Sequence, residues 1–110
     1  MSKAVTDPAE VIRTTARTLD DVCEGTACSQ TSFKAMGKAF LYIGEQGGRS
    51  KAMFRLRDSL GKAEEMAAVA PDDFQIGNQG WVTARFDAAK PLSTRIWKRW
   101  LKESYSLAVG

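Results

Sequence analysis

Apolar residues along this chain change their spacing several times, and each change marks a new element. Val11, Ile12, Ala16 and Leu19 recur at helical intervals, with Val22 continuing the stripe. Thr6-Asp7-Pro8-Ala9-Glu10 supplies the start: Asp7 can cap, Pro8 suits the first helical position, and Glu10 completes a capping box. Gly25 ends the pattern, so a first helix is expected over residues 7–22.

The period then falls to two. Thr31-Ser32-Phe33-Lys34-Ala35-Met36 alternates, Gly37 interrupts, and Lys38-Ala39-Phe40-Leu41-Tyr42-Ile43 is a denser apolar run. Gly47-Gly48 permits the positive φ angles of a hairpin turn, and residues 51–57 alternate cleanly. Three meander strands follow from that. Asp58 or Ser59 can cap a second helix through Leu60, Ala63, Met66, Ala67 and Val69, stopped by Pro71. Phe74-Gln75-Ile76 reads as a short strand, Asn78-Gln79-Gly80 as a turn and residues 81–86 as another alternating strand. Pro91 and Ser93 open a last helix reaching Val109. The predicted architecture is α+β, a two-layer α-β(3)-α-β(2)-α arrangement with one antiparallel sheet. Helices cover one face of such a sheet and leave the other to solvent. No repeat or linker divides the chain, so residues 1–110 are expected to form a single domain.

Composition removes most chemistry. At 110 residues, 44% hydrophobic and 26% charged, the chain can bury a core and is not disordered. No apolar run reaches membrane-span length and no basic-then-apolar leader opens it, so a cytoplasmic protein without a membrane partner is expected. There is no histidine, which removes Ser–His and Cys–His pairs and imidazole metal ligands. Cys23 and Cys28 offer at most half a zinc site, and read as reduced thiols or as a redox-sensitive or bridged pair. Asp20-Asp21, Glu64-Glu65 and Asp72-Asp73 are adjacent pairs; on a helix, neighbours diverge by about 100° and make poor dyads. Gly44, Gly47 and Gly48 lack the ending of a phosphate-binding loop. The expectation is no catalytic residue, no metal and no cofactor.

Charge is unevenly spread. Residues 34–57 carry six cations against Glu45 alone, and residues 91–110 carry four against Glu103 alone. Alternation sets Ala52, Phe54 and Leu56 opposite Lys51, Met53, Arg55 and Arg57, and Val82, Ala84 and Phe86 opposite Trp81, Thr83 and Arg85. The run at 38–43 is ambiguous because both of its faces are apolar. If Ala39, Leu41 and Ile43 face the helices, the open face holds Lys34, Lys38, Phe40, Tyr42, Lys51, Arg55, Arg57, Trp81 and Arg85. In the last helix Ile96, Trp97, Trp100, Leu101, Tyr105, Leu107 and Ala108 fall on one arc, with Arg95, Lys98, Arg99 and Lys102 opposite. Cations interleaved with rings suit nucleic acid. The candidate contacts are Lys34, Lys38, Lys51, Arg55, Arg57, Trp81, Arg85, Arg95 and Arg99. The same face also fits a solvated surface whose cations keep strands from pairing, or a protein-binding or homodimer surface around Phe40, Tyr42 and Trp81.

Residues 23–109 resemble the MmcQ/YjbR family of small bacterial proteins. The resemblance is carried by Ser32-Phe33-Lys34, Gly37-Lys38-Ala39-Phe40, Met53-Phe54-Arg55-Leu56-Arg57-Asp58 and Gly80-Trp81-Val82-Thr83. Leu101-Lys102-Glu103-Ser104-Tyr105-Ser106-Leu107 closes it. The resemblance implies a YjbR-like fold related to frataxin-like and secretion-chaperone-like proteins, and a DNA-binding role through hairpin wings, with Lys34, Lys38, Arg55, Arg57 and Trp81 at matching positions. Family members often carry a histidine before the tryptophan, where this chain has Gly80. Iron chemistry is not implied, since residues 7–22 hold no acidic ridge beyond Asp7, Glu10, Asp20 and Asp21. The likeness to secretion chaperones implies the alternative of a protein-interaction module using the sheet face or an edge strand.

Overall fold

Alternation and tight turns build the sheet. The computed structural model describes residues 8–27, 30–87 and 89–110. Four consecutive strands, β1 (Val22–Ala27), β2 (Gln30–Ala35), β3 (Lys38–Gln46) and β4 (Arg49–Arg55), form an antiparallel meander. Gly47 and Gly48 sit at φ 62° and 82°, the double positive φ that matches a two-residue hairpin to strand twist. β5 (Phe74–Ile76) and β6 (Trp81–Phe86) complete the sheet in the order β1-β2-β3-β4-β6-β5. Helices α1 (Pro8–Arg17), α2 (Leu60–Val69) and α3 (Thr94–Val109) make the second layer. The expected α+β class with one antiparallel sheet is what the chain adopts.

The meander has four strands where three were expected. The first helix stops at Arg17, and Val22 begins an edge strand in place of continuing the helical stripe. The end of α1 is threonine-rich: the Thr15 hydroxyl donates to the Val11 carbonyl and the Thr18 hydroxyl to the Thr15 carbonyl. Such local bonds compete with helix propagation. Asp21 then turns the chain at φ 59°, a conformation Asp tolerates better than most residues. The expected cap at Asp7 lies outside the described residues, as does Cys28. Cys23 is exposed in β1.

A second correction concerns Phe40. It is fully buried on the helix side, not on the open face. Register explains it: Phe33 pairs with Leu41 but Lys34 pairs with Ala39, so Phe40 is the extra residue of a bulge. The bulge lets Phe40 and Leu41, neighbours in sequence, both bury. Ala39 is correspondingly half-buried and lies across from Lys34, away from the helices.

One core joins the layers. Phe33, Leu41, Ile43, Phe54, Val82 and Phe86 from the sheet bury against Ile12 and Ala16 of α1 and Trp97, Trp100 and Leu101 of α3. Trp100 meets Phe54 and Phe74 edge-on, at centroid distances of 5.9 and 6.1 Å. The expected apolar arc of α3 thus faces the sheet, but two polar residues belong to it as well. Ser104 is 1% exposed. Its hydroxyl donates to the Phe40 carbonyl and accepts from the Arg55 N–H at 2.9 Å, bridging β3 and β4 just beyond Leu41–Phe54, the last pair of their ladder. Glu103 accepts from the backbone N–H groups of Arg57 (2.6 Å) and Ser59 (3.0 Å) and from the Ser59 hydroxyl (2.7 Å). A carboxylate is thereby held where α2 begins, a favourable place for negative charge. Tyr105 donates to the Asp20 carbonyl at 2.7 Å. Three successive residues tie α3 to three separate parts of the chain.

These carboxylates set the pH dependence. Partial burial pushes the Glu103 carboxyl up, but the N–H and hydroxyl donors of Ser59, Arg57 and Asp58 outweigh it and hold it below the ordinary 4.5. The Lys90 ammonium, helped by the Arg49 guanidinium, depresses Asp73 below 3.8, and Arg17 depresses Glu24. Depressed acids stabilise the fold fully above their unfolded values and lose that contribution as pH falls through the folded ones. With no histidine to titrate, thermal melts should stay flat between about pH 6 and 8 and fall steadily below about pH 4.5. Glu103→Gln should flatten the acid limb of that profile, and an unchanged acid limb would remove Glu103 from the account.

Candidate nucleic-acid interface

The face of the sheet away from α1 and α3 carries no covering element among the described residues. Cross-strand register shows what it displays. Lys51 stands directly opposite Arg85, Arg55 opposite Trp81, and Met53 between Tyr42 and Thr83. Lys34 lies on the same face, opposite Cys23 and Ala39. Tyr42 and Trp81, on strands flanking β4, bring their rings to 5.4 Å with a 52° tilt.

Several of these side chains are held in place. The Arg55 Nε donates to the Gln79 carbonyl at 3.1 Å, which fixes the guanidinium near Trp81. Arg85 donates to the Gln75 side-chain oxygen, aimed by the neighbouring edge strand β5. At one corner Arg49 binds Asp73 at 2.8 Å and Asp87 at 3.8 Å, and Lys90 binds Asp73 at 2.8 Å. That corner is neutralised. Lys34, Lys51 and Arg55 make no ion pair among the described residues. Lys51 and Arg85 are cross-strand neighbours by register, and the Gln75 bond draws the Arg85 guanidinium toward β5.

The nine sequence-derived candidates separate into three places. Lys34, Lys51, Arg55, Trp81 and Arg85 share the open face. Lys38 pairs with buried Ala35 and so leans to the helix side, where it lines a cleft of about 480 Å³ with Arg57, Glu103 and Ser106. Arg57 lies beyond the end of β4. Both were expected on the open face; the bulge at Phe40 reverses the parity of Lys38, and alternation defines no face for Arg57 once its strand has ended. Arg95 and Arg99 are exposed on α3, in the layer behind the sheet, and Arg99 lines a shallow depression with Asp58 and Lys102. A ligand seated on the open face would touch neither. Tyr42 and Gln75 belong to the face but not to the candidate list. Alternation with Leu41 already sets Tyr42 on this face in the sequence; Gln75 needs the β5–β6 register, which has no local signal.

Among the described residues, no group of three His, Cys, Asp or Glu side chains is arranged to hold a metal, and no helix is long and apolar enough to cross a membrane. No family model matches the chain, and no curated protein matches it. Among solved structures, the chain is similar to a structural-genomics crystal structure of a Pseudomonas syringae protein, target PsR293. The match has a TM-score of 0.61 at 10% identity and covers 90% of this chain and 96% of the other. That likeness supports the fold alone.

Proposed function

We propose that this is a non-catalytic, cytoplasmic domain that binds nucleic acid, most simply DNA, through its open sheet face. Its family is the MmcQ/YjbR type that the sequence resembles. The observation that carries the binding role is the gathering of Lys34, Lys51 and Arg55, none of them ion-paired among the described residues, on one uncovered sheet face. Cations so placed attract the phosphates of a nucleic-acid backbone. Tyr42 and Trp81 add stacking surface beside them.

Four cations on this face imply a log–log salt slope of about −3 to −4. Replacing Lys51 and Arg55 by Ser should weaken binding to every sequence and reduce that slope by about 1–2. Anisotropy titrations at several salt concentrations measure both, with thermal melts as the check that the variants fold. No binding to duplex or single strands at about 50 mM salt would overturn the function.

A second role, holding a protein partner by strand addition, is favoured by β1. Its residues Cys23, Glu24, Gly25 and Thr26 are all exposed, and the strand carries no Lys or Pro to discourage pairing. Affinity capture with and without nuclease separates the two roles.

A further inference from the structure

We infer that the open sheet face is a single-strand site, taking unpaired bases on Tyr42 and Trp81 and discriminating against duplex. The inference presupposes that this face binds nucleic acid and adds which form it binds. A duplex presents its base edges only within grooves, which a helix or a two-stranded ribbon must enter. Here α1 and α3 lie behind the sheet, and α2 packs along β5 at its edge. The tip of the β3–β4 hairpin is also ill-suited to a groove: it is Gly47-Gly48, and the adjacent Arg49 is tied to Asp73 and Asp87.

The two rings sit in the middle of the face, flanking β4, where a groove floor cannot descend to them. They are half-buried and braced against each other at 5.4 Å, so little side-chain freedom is lost when a base lies on them. Arg55 stands in register with Trp81, and Lys51 and Arg85 follow within roughly 13 Å along the same strands. Splayed bases on rings, with phosphates on flanking cations, require a strand free of its complement. Against a duplex only the cations could act.

The test uses the full chain and three labelled probes: an oligothymidylate of about twelve nucleotides, a hairpin duplex with as many phosphates, and heparin. Trp97 and Trp100 are buried and Trp81 is not, so quenching of tryptophan fluorescence reports on Trp81. The single strand should bind at least about tenfold more tightly than the duplex and quench the fluorescence. Trp81→Leu should lose about 5- to 150-fold in single-strand affinity while Trp81→Phe keeps most of it. Unchanged heparin binding by both variants shows that the fold and the cations are intact. Equal affinity for duplex and single strand, or a Trp81→Leu variant that binds the single strand normally, overturns the single-strand inference and leaves a plain polyanion site. Failure to bind any of the three probes overturns that site as well.

Discussion

Gly80→Ala is expected to cost about 3 kcal/mol, lowering the melting temperature by roughly 10–20 °C. Gly80 sits at φ +86°, where an L side chain is strained, and a Cβ placed there would meet the Leu56 carbonyl oxygen at 2.4 Å. The obstacle is backbone and cannot swing aside: Leu56 N–H itself donates to the Gly80 carbonyl at 2.8 Å. Gly61 supplies the contrast. It lies in α2 with nothing within 4 Å of an added methyl and no positive φ, so Gly61→Ala should be neutral or stabilising by up to about 1 kcal/mol. Parallel thermal melts of the two variants check both signs; equal melting temperatures would sink the account of the 56–80 contact.

The second large effect is expected at Ser104. Its hydroxyl serves the Phe40 carbonyl and the Arg55 N–H at once. Ser104→Ala leaves both without that partner at the fork between β3 and β4, for about 2–4 kcal/mol in total. Ser106 is exposed two residues further along α3, and Ser106→Ala should change stability by less than about 0.5 kcal/mol. Urea unfolding measures the pair. If Ser104→Ala matches Ser106→Ala, the hydroxyl does not bridge the strands.

The elements that read most plainly from sequence were those where local pattern and tertiary role agree. Strand β6 follows its alternation from Trp81 to Phe86, and α3 ends at Val109 as its apolar arc requires. Errors arose where a local pattern had two solutions. Val22 suits the helical stripe of α1 as well as the first position of a strand, and only pairing with Ala35 decides. Phe40 follows the parity of Tyr42 until a one-residue bulge moves it to the other face. The same bulge carries Lys38 to the helix side, and Arg57 lies beyond the end of β4, where alternation loses its meaning. The roles of Glu103 and Ser104 carry no local signal, because polarity in a helix ordinarily marks solvent and here their partners lie more than forty positions earlier in the chain. The central cations and Trp81 of the candidate site were legible because strands β4 and β6 are regular. The Lys51–Arg85 opposition was not, since it depends on which strands are neighbours.

The fork closed by Ser104 has a consequence for how the protein is made. The Phe40 carbonyl waits for a hydroxyl 64 residues downstream, and the Arg55 N–H for the same group 49 residues downstream. During vectorial synthesis both strands leave the ribosome long before their shared ligand exists. One end of the β3–β4 ladder therefore stays open until α3 emerges, and its closure is deferred to the arrival of the helix. Contacts this distant along the chain also slow folding, so the interval before α3 docks is when the half-built sheet is most open to chaperones and to mispairing.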